Sequence, residues 1–291
     1  MGNESIQAII EQHATQEGVT ETGIPGLQLY RIHQPLKRTP AIYTPRICIN
    51  VRGSKRVFSN AGVHIYDSRH FICCTMPVPV EADVPVATPE DPVLGVSLEL
   101  NSAPFRDLIQ VISATQGLEI SGTESLGPEG LAVGLVSDAL EEAMCRLLEL
   151  TGDPTALRAL SHGRLAEVYY VLLIGPLGPV IRRRFGDHLK IAETVCYLQD
   201  NISEPLTIDQ LAKWSGMSRA TFHRRFKDAT GLAPIQFIKE FRLNTAAMHL
   251  AAGMRTGDVA DAVGYNSQSQ FSREFKRLFG ESPRDWISPS S

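Results

Sequence analysis

Residues 218–234 read SRATFHRRFKDATGLAP, and residues 267–283 read SQSQFSREFKRLFGESP. The second stretch repeats the first. Leu211-Ala212 matches Val259-Ala260 and Gly216-Met217 matches Gly264-Tyr265 at an offset of 48. Phe222, Phe226, Gly231 and Pro234 match Phe271, Phe275, Gly280 and Pro283 at an offset of 49. One extra residue in the second turn accounts for the slip, at a place where insertions are tolerated. The chain therefore carries one supersecondary unit twice.

Each copy reads as two helices joined by a tight turn. In the first, Thr207 caps a short helix running to Trp214, with Ile208, Leu211 and Ala212 on one face. Gly216 ends that helix, and Ser218 caps the next. Phe222 and Phe226 are four apart and share its buried side; Gly231 stops it and Pro234 opens another helix. Thr256, Gly264, Ser267, Phe271, Phe275, Gly280 and Pro283 are expected to do the same work in the second copy. This is helix-turn-helix chemistry. Opposite the phenylalanines lie Arg219, Ala220, His223, Arg224 and Lys227 in one copy, and Gln268, Ser269, Gln270, Arg273 and Lys276 in the other. Guanidinium, amide and hydroxyl groups are the types that reach base edges and phosphates, so these ten positions are the candidate contacts to double-stranded DNA. A solvated helix face is the alternative for either helix alone; the same layout in both favours DNA. Between the copies, from Pro234 to about Met254, the pattern predicts a helix of about twenty residues, roughly 30 Å long, close to one DNA turn of about 34 Å.

These residues resemble a known family. LAKWSGMSRATFHRRFKDATGLAPIQFIKEFRL and VADAVGYNSQSQFSREFKRLFGESPRDW are similar to the DNA-binding domain of the AraC/XylS family of bacterial transcription regulators, over residues 187–288. The resemblance implies that helices 218–230 and 267–279 read DNA. It also implies a homodimer and a contact with RNA polymerase. Trp286-Ile287 departs from the more usual Tyr-Arg and puts a C-terminal backbone contact in question.

Net charge does not supply the DNA affinity. The chain carries −4 overall, and residues 187–291 hold 13 Lys and Arg against 12 Asp and Glu. Binding must come from local patches. The first residues, MGNESIQAIIEQ, lack the basic-then-apolar pattern of a secretory leader, and the greasiest run, VYYVLLIGPLGPVI, is short and broken by prolines. Five cysteines form no CxxC pair and are odd in number. A cytoplasmic chain with no membrane partner is expected.

Between Leu27 and Leu100, β-rich runs such as LQLYRIH, RICINVR, HFICCTM and VLGVSLEL alternate with Pro, Gly and Asn breaks, which predicts a small antiparallel barrel or sandwich. YTPRICINVRGSKRVF and HFICCTMPVPVEADV are similar to the N-terminal domain of one AraC-family subgroup, a cupin-like barrel; Arg52 stands where that pattern has glutamine. The fold class is thus α+β: a barrel over residues 1–130, a helical dimerisation segment and linker over 131–186, and two helix-turn-helix motifs over 187–291.

The barrel is expected to bind a small-molecule effector. In RICINVR, Ile47, Ile49 and Val51 alternate with Cys48, Asn50 and Arg52, so one face is polar. Arg46, Cys48, Asn50, Arg52, Lys55 and Arg56 are the candidates to meet an anionic ligand, against the alternative of a solvated outer face. His64 and His70 lack the His-x-His and Glu array of metal-bearing cupins, and no nucleophilic set is apparent from spacing, so no metal, cofactor or catalytic role is expected. An enzyme with a regulatory DNA-binding tail and a constitutive DNA binder remain the rival classes. Cys73-Cys74 raises thiol sensing, with at most one of the pair expected inside. Two apolar stripes, Val136, Leu140, Ala143, Met144 and Leu147, then Leu165, Val168, Tyr169 and Leu172, read as core or as a dimer seam, which the resemblance favours. Arg182, Arg183 and Arg184, in the interdomain connection, read as a solvated run or a phosphate contact.

Overall fold

Alternation in RICINVR correctly separates two faces, but neither face is solvated. In the structure, a computed structural model describing residues 2–100, 103–116, 130–185 and 189–287, this strand is central in its sheet and covered on both sides. Ile47, Ile49 and Val51 join a core under helices, while Cys48 and Asn50 turn into the space between two sheets.

The chain begins with helix α1 (Gly2–His13) and then makes nine strands: β1 (Gly18–Glu21), β2 (Leu27–Ile32), β3 (Leu36–Tyr43), β4 (Arg46–Arg52), β5 (Lys55–Ser59), β6 (Gly62–Tyr66), β7 (His70–Cys74), β8 (Val78–Val84) and β9 (Val93–Glu99). Helix α2 (Ala103–Gln116) leads towards β10 (Leu131–Leu135), and α3 (Asp138–Leu148), α4 (Pro154–Ile174) and α5 (Gly178–Phe185) follow. All pairings are antiparallel, in a six-stranded sheet of order β1-β2-β9-β4-β7-β10 and a four-stranded sheet of order β3-β8-β5-β6. The expected division at 130/131 falls just before β10, which pairs with β7. That strand belongs to the sheet, so the helical layer that follows it starts at α3. The expected division at 186/187 lies outside the described residues.

Helices α1 to α5 form the layer over the outer face of the six-stranded sheet. Leu140, Ala143, Met144, Leu147, Leu165, Val168, Tyr169 and Leu172 are all buried in that layer's core. These eight side chains therefore serve as core, with Val136 of the first stripe half-buried at its edge. Cys73 lies in the same core and Cys74 on the opposite side, with the β–helix interface, so both thiols are buried. One inside and one outside was the wrong expectation, because the sheet is covered on both faces. Burial pushes the Cys74 thiol up to about 12 and Cys73 well above its ordinary value, the reverse of what a reactive thiol needs. Arg182 donates to the Leu173 carbonyl rather than facing a phosphate; the side chains of Arg183 and Arg184 lie outside the described residues.

The C-terminal part is all helix: α6 (Leu189–Asp200), α7 (Ile208–Trp214), α8 (Arg219–Thr230), α9 (Pro234–Ala251), α10 (Thr256–Ala262), α11 (Gln268–Phe279) and α12 (Pro283–Ile287). It contains two cores. Phe222, Phe226, Phe237 and Phe241 belong to one that is continuous with Val57, Tyr66, Ile72 and Val78 of the sheets. Leu243, Leu250, Val259, Phe271 and Phe275 form a second. The first helix-turn-helix unit is thus cemented to the β unit, and the second is attached through α9. Among the described residues no helix is long and apolar enough to cross a membrane.

Candidate DNA interface and ligand cavity

The caps expected of α7, α8 and α11 are in place. Thr207 accepts from the Gln210 amide at 3.2 Å while the Gln210 side chain accepts from Thr207 N–H at 2.8 Å, closing a capping box on α7. Ser218 caps α8 and Ser267 caps α11, each accepting a backbone N–H at 3.3 Å. Both helices end on a glycine in the left-handed region, Gly231 at φ 77° and Gly280 at φ 84°, where a side chain would be strained. Thr256 departs from the expected pattern. It is the first residue of α10, Arg255 takes the cap position, and no side chain caps that helix.

Phe222 and Phe226 are fully buried with ring centroids 5.3 Å apart, and Phe271 and Phe275 repeat this at 5.6 Å. Burying these faces turns the other side of each helix outward. Arg219, Ala220, His223, Arg224 and Lys227 on α8, and Gln268, Ser269, Gln270, Arg273 and Lys276 on α11, are all exposed. Arg219 makes a 3.3 Å pair with Asp209, both well exposed and so weakly held. Gln270 donates to Glu274 at 3.1 Å, and Glu274 also takes the Tyr265 hydroxyl at 2.9 Å and the Lys239 ammonium at 3.3 Å. Glu274, which the sequence pattern did not single out, anchors α11 to α9. Trp286 packs on Phe275 and Phe279, centroids 5.7 and 5.0 Å away, so this departure from the family pattern is part of the second core's edge.

A cavity of about 400 Å³ lies between the two sheets. Arg46, Cys48 and Lys55 line it, as expected of ligand candidates; Asn50, Arg52 and Arg56 do not. Asn50 is fully buried behind the wall, accepting from the Tyr30 hydroxyl at 2.5 Å and donating to the Tyr66 carbonyl at 3.2 Å. Arg52 points away to Asp91 at 2.7 Å and Glu11 at 3.6 Å. Arg56 is clamped by Asp83 through two bonds of 2.8 and 2.6 Å. An arginine at the end of a strand finds a carboxylate on the neighbouring segment more cheaply than it desolvates.

Much of the other lining comes from strands that the sequence pattern does not bring together: Tyr30, Tyr43 and Ser97, with Ile32, Ala41 and Ile42 as apolar walls. Arg46 donates to Ser97 at 3.3 Å and to Thr44 at 3.1 Å. The Lys55 ammonium sits 4.9 Å from the Tyr30 ring centroid, burial pushes its pKa down, and among the described residues no carboxylate pairs with it. Burial raises the pKa of Tyr30, Tyr43 and Tyr66, which keeps all three phenols protonated. A Cβ at Gly95 would collide with the Tyr30 hydroxyl and the Ile49 carbonyl, so glycine is what lets Tyr30 cross the sheet to Asn50. His64 and His70 are separately engaged, by Ser59 at 3.0 Å and Asp67 at 2.8 Å, and no metal-holding cluster occurs among the described residues.

Two capped helices with exposed polar faces, α8 and α11, joined by the rod α9, define a double helix-turn-helix DNA-binding protein with a β unit built onto its first motif. The sequence pattern of the AraC-type transcriptional regulator N-terminus matches residues 23–180, and that of a helix-turn-helix domain matches residues 211–288. The chain belongs to the AraC family of DNA-binding transcription regulators. Regulatory protein SoxS of Escherichia coli strain K12 is 36% identical over 97 residues, 33% of this chain and 91% of that protein. The transcriptional activator RhaS of Yersinia pestis is 30% identical over 124 residues, 42% of this chain and 45% of that one. In overall fold the chain is similar to unsaturated fatty acid-bound ToxT from Vibrio cholerae, with a TM-score of 0.54 and 10% identity, covering 90% of this chain and 94% of ToxT.

Proposed function

We propose that this protein is a one-component regulator whose engagement with DNA responds to a small amphipathic anion bound between the sheets. The observation that carries this reading is Lys55: a half-buried ammonium that pairs with no carboxylate among the described residues, facing a largely apolar cavity that also holds Arg46. A carboxylate of modest size with an apolar body matches both features, and ToxT, of similar fold, binds an unsaturated fatty acid. Strand β3 supplies the coupling. Its Ala41, Ile42 and Tyr43 line the cavity, and the same strand packs against α9 of the DNA-binding part. An occupant that favours one position of β3 shifts how α9 is held. We assign no catalytic role, cofactor or metal.

Titration of the purified chain with a panel of monocarboxylates, oleate and aromatic butenoic acids included, is expected to raise its melting temperature for at least one member. Lys55→Met should weaken that binding by about tenfold or more, the equivalent of one charge-assisted hydrogen bond. A panel without effect, or a Lys55→Met variant that binds as wild type, would sink the assignment.

On the DNA side, Arg224→Ala and Arg273→Ala are each expected to weaken specific binding by about 1 to 3 kcal/mol without lowering the melting temperature. Operator affinity at the wild-type level in both would show that these faces are not the readers. A second copy is the partner we assign to the outer face of α4, where Leu160, Tyr170 and Ile174 are about half exposed along one side; RNA polymerase is the further partner expected of such a regulator.

A further inference from the structure

Helix α9 changes cores within three residues. Phe241 is the last of its residues in the first core and Leu243 the first in the second. Between them stands Arg242, whose guanidinium faces neither core. Its Nη2 donates to the Glu204 carbonyl at 2.7 Å, in the loop leading into the first helix-turn-helix unit. Its Nη1 donates to the Gly264 carbonyl at 3.0 Å, in the turn of the second unit. One planar group thus holds a backbone oxygen from each unit at a fixed angle.

The fit around it is close. Gly264 lies at φ 79°, and a Cβ there would stand 2.8 Å from both Arg242 Nη2 and the Ser203 carbonyl oxygen. The turn of the second unit therefore approaches the 203–204 loop of the first closely, with the guanidinium beside both. Arg242 Nε is buried with no hydrogen-bond partner among the described residues, and desolvation lowers the group's pKa. Neither core requires this arrangement, since each closes on aromatic and aliphatic side chains of its own. A cost of this kind, borne where two units meet, marks a residue that fixes their relation.

We propose that Arg242 is a positioning residue that sets the separation and rotational phase of the two reading helices, and with them the half-site spacing that this regulator accepts. The inference rests on the reading that both units engage one duplex. If the bridge fixes the geometry, removing it leaves each reader intact but loosens their relation, so avidity falls while tolerance of spacing rises.

The test uses the full chain and a duplex selected from a random library by the wild-type protein. Derivatives carry either half-site scrambled, or one base pair inserted between the half-sites, which turns one about 35° around the axis. Wild type should lose roughly tenfold or more on insertion. Arg242→Met should bind the parent duplex roughly tenfold more weakly, bind each single half-site as wild type does, and show a much smaller insertion penalty. Arg242→Lys, able to reach one carbonyl but not fork to both, should fall between. An Arg242→Met variant with the wild-type affinity and insertion penalty would overturn the inference alone, as would equal losses on full and single half-sites, which would make Arg242 merely structural. A wild-type chain indifferent to insertion and to scrambling of either half-site would overturn the two-reader premise itself.

Discussion

Truncating Phe275 to alanine is expected to cost about 3 to 5 kcal/mol through the cavity it leaves, and to unfold the second helix-turn-helix unit ahead of the rest. The ring is fully buried and touches Phe271, Phe279 and Trp286, with centroids 5.6, 4.6 and 5.7 Å away. Its core closes within residues 243–286 and shares no residue with the sheets. Phe226→Ala should cost a similar amount but report elsewhere, because Phe226 sits in the core that continues into the β unit. Hydrogen exchange on the full chain separates the two cases. Phe275→Ala should speed exchange through α10 and α11 while the sheets stay protected; Phe226→Ala should loosen α8 and the sheet surface against it together. An unchanged denaturation midpoint for Phe275→Ala would mean that the ring is not a core element.

That difference between two matching phenylalanines was not legible in the repeat. Local signals carried the motifs: caps, left-handed glycines and aromatic pairs four apart act over a few residues, and apart from the cap expected at Thr256 the structure places them where the pattern puts them. What each unit packs against is decided far away in the chain. The same limit applied to the cavity. Period-two alternation in β4 separates Cys48 and Asn50 from Ile47 and Ile49, but it does not say which face meets solvent, and here neither does. Arg52 and Arg56 have the chemistry of ligand groups, but Asp91 and Asp83, both more than twenty residues away, hold them. Tyr30, Tyr43 and Ser97 reach the cavity from three strands, and nothing in their own neighbourhoods signals it. The burial of Asn244 is hidden from its local sequence for a related reason, since a polar side chain in the helix between the two copies gives no sign of the core it faces. Asn244 lies beside the second core at 8% exposure, with its amide turned back to the Glu240 carbonyl at 2.9 Å.

A break in α9 should therefore be placed at Thr245 rather than Asn244. Thr245 is only half-buried, and its hydroxyl donates to the Phe241 carbonyl at 2.9 Å, within its own helix. Thr245→Ala removes that bond and little else. Thr245→Pro removes a backbone hydrogen bond and drives the ring into the Phe241 carbonyl, costing about 3 kcal/mol or more. Helix α9 has 18 residues, about 27 Å at 1.5 Å each, and position 245 falls after Arg242 and among the residues that begin the second core. The kink would then swing the second unit away from the first without touching either reading helix. Footprinting of the selected duplex should show Thr245→Ala protecting two successive major grooves, and Thr245→Pro protecting one at a time at about single-site affinity. If the proline variant stays folded and still protects both grooves with undiminished affinity, the unbroken helix is not what spaces the readers. The forked contact from Arg242 to Glu204 and Gly264 would then have to hold that spacing alone.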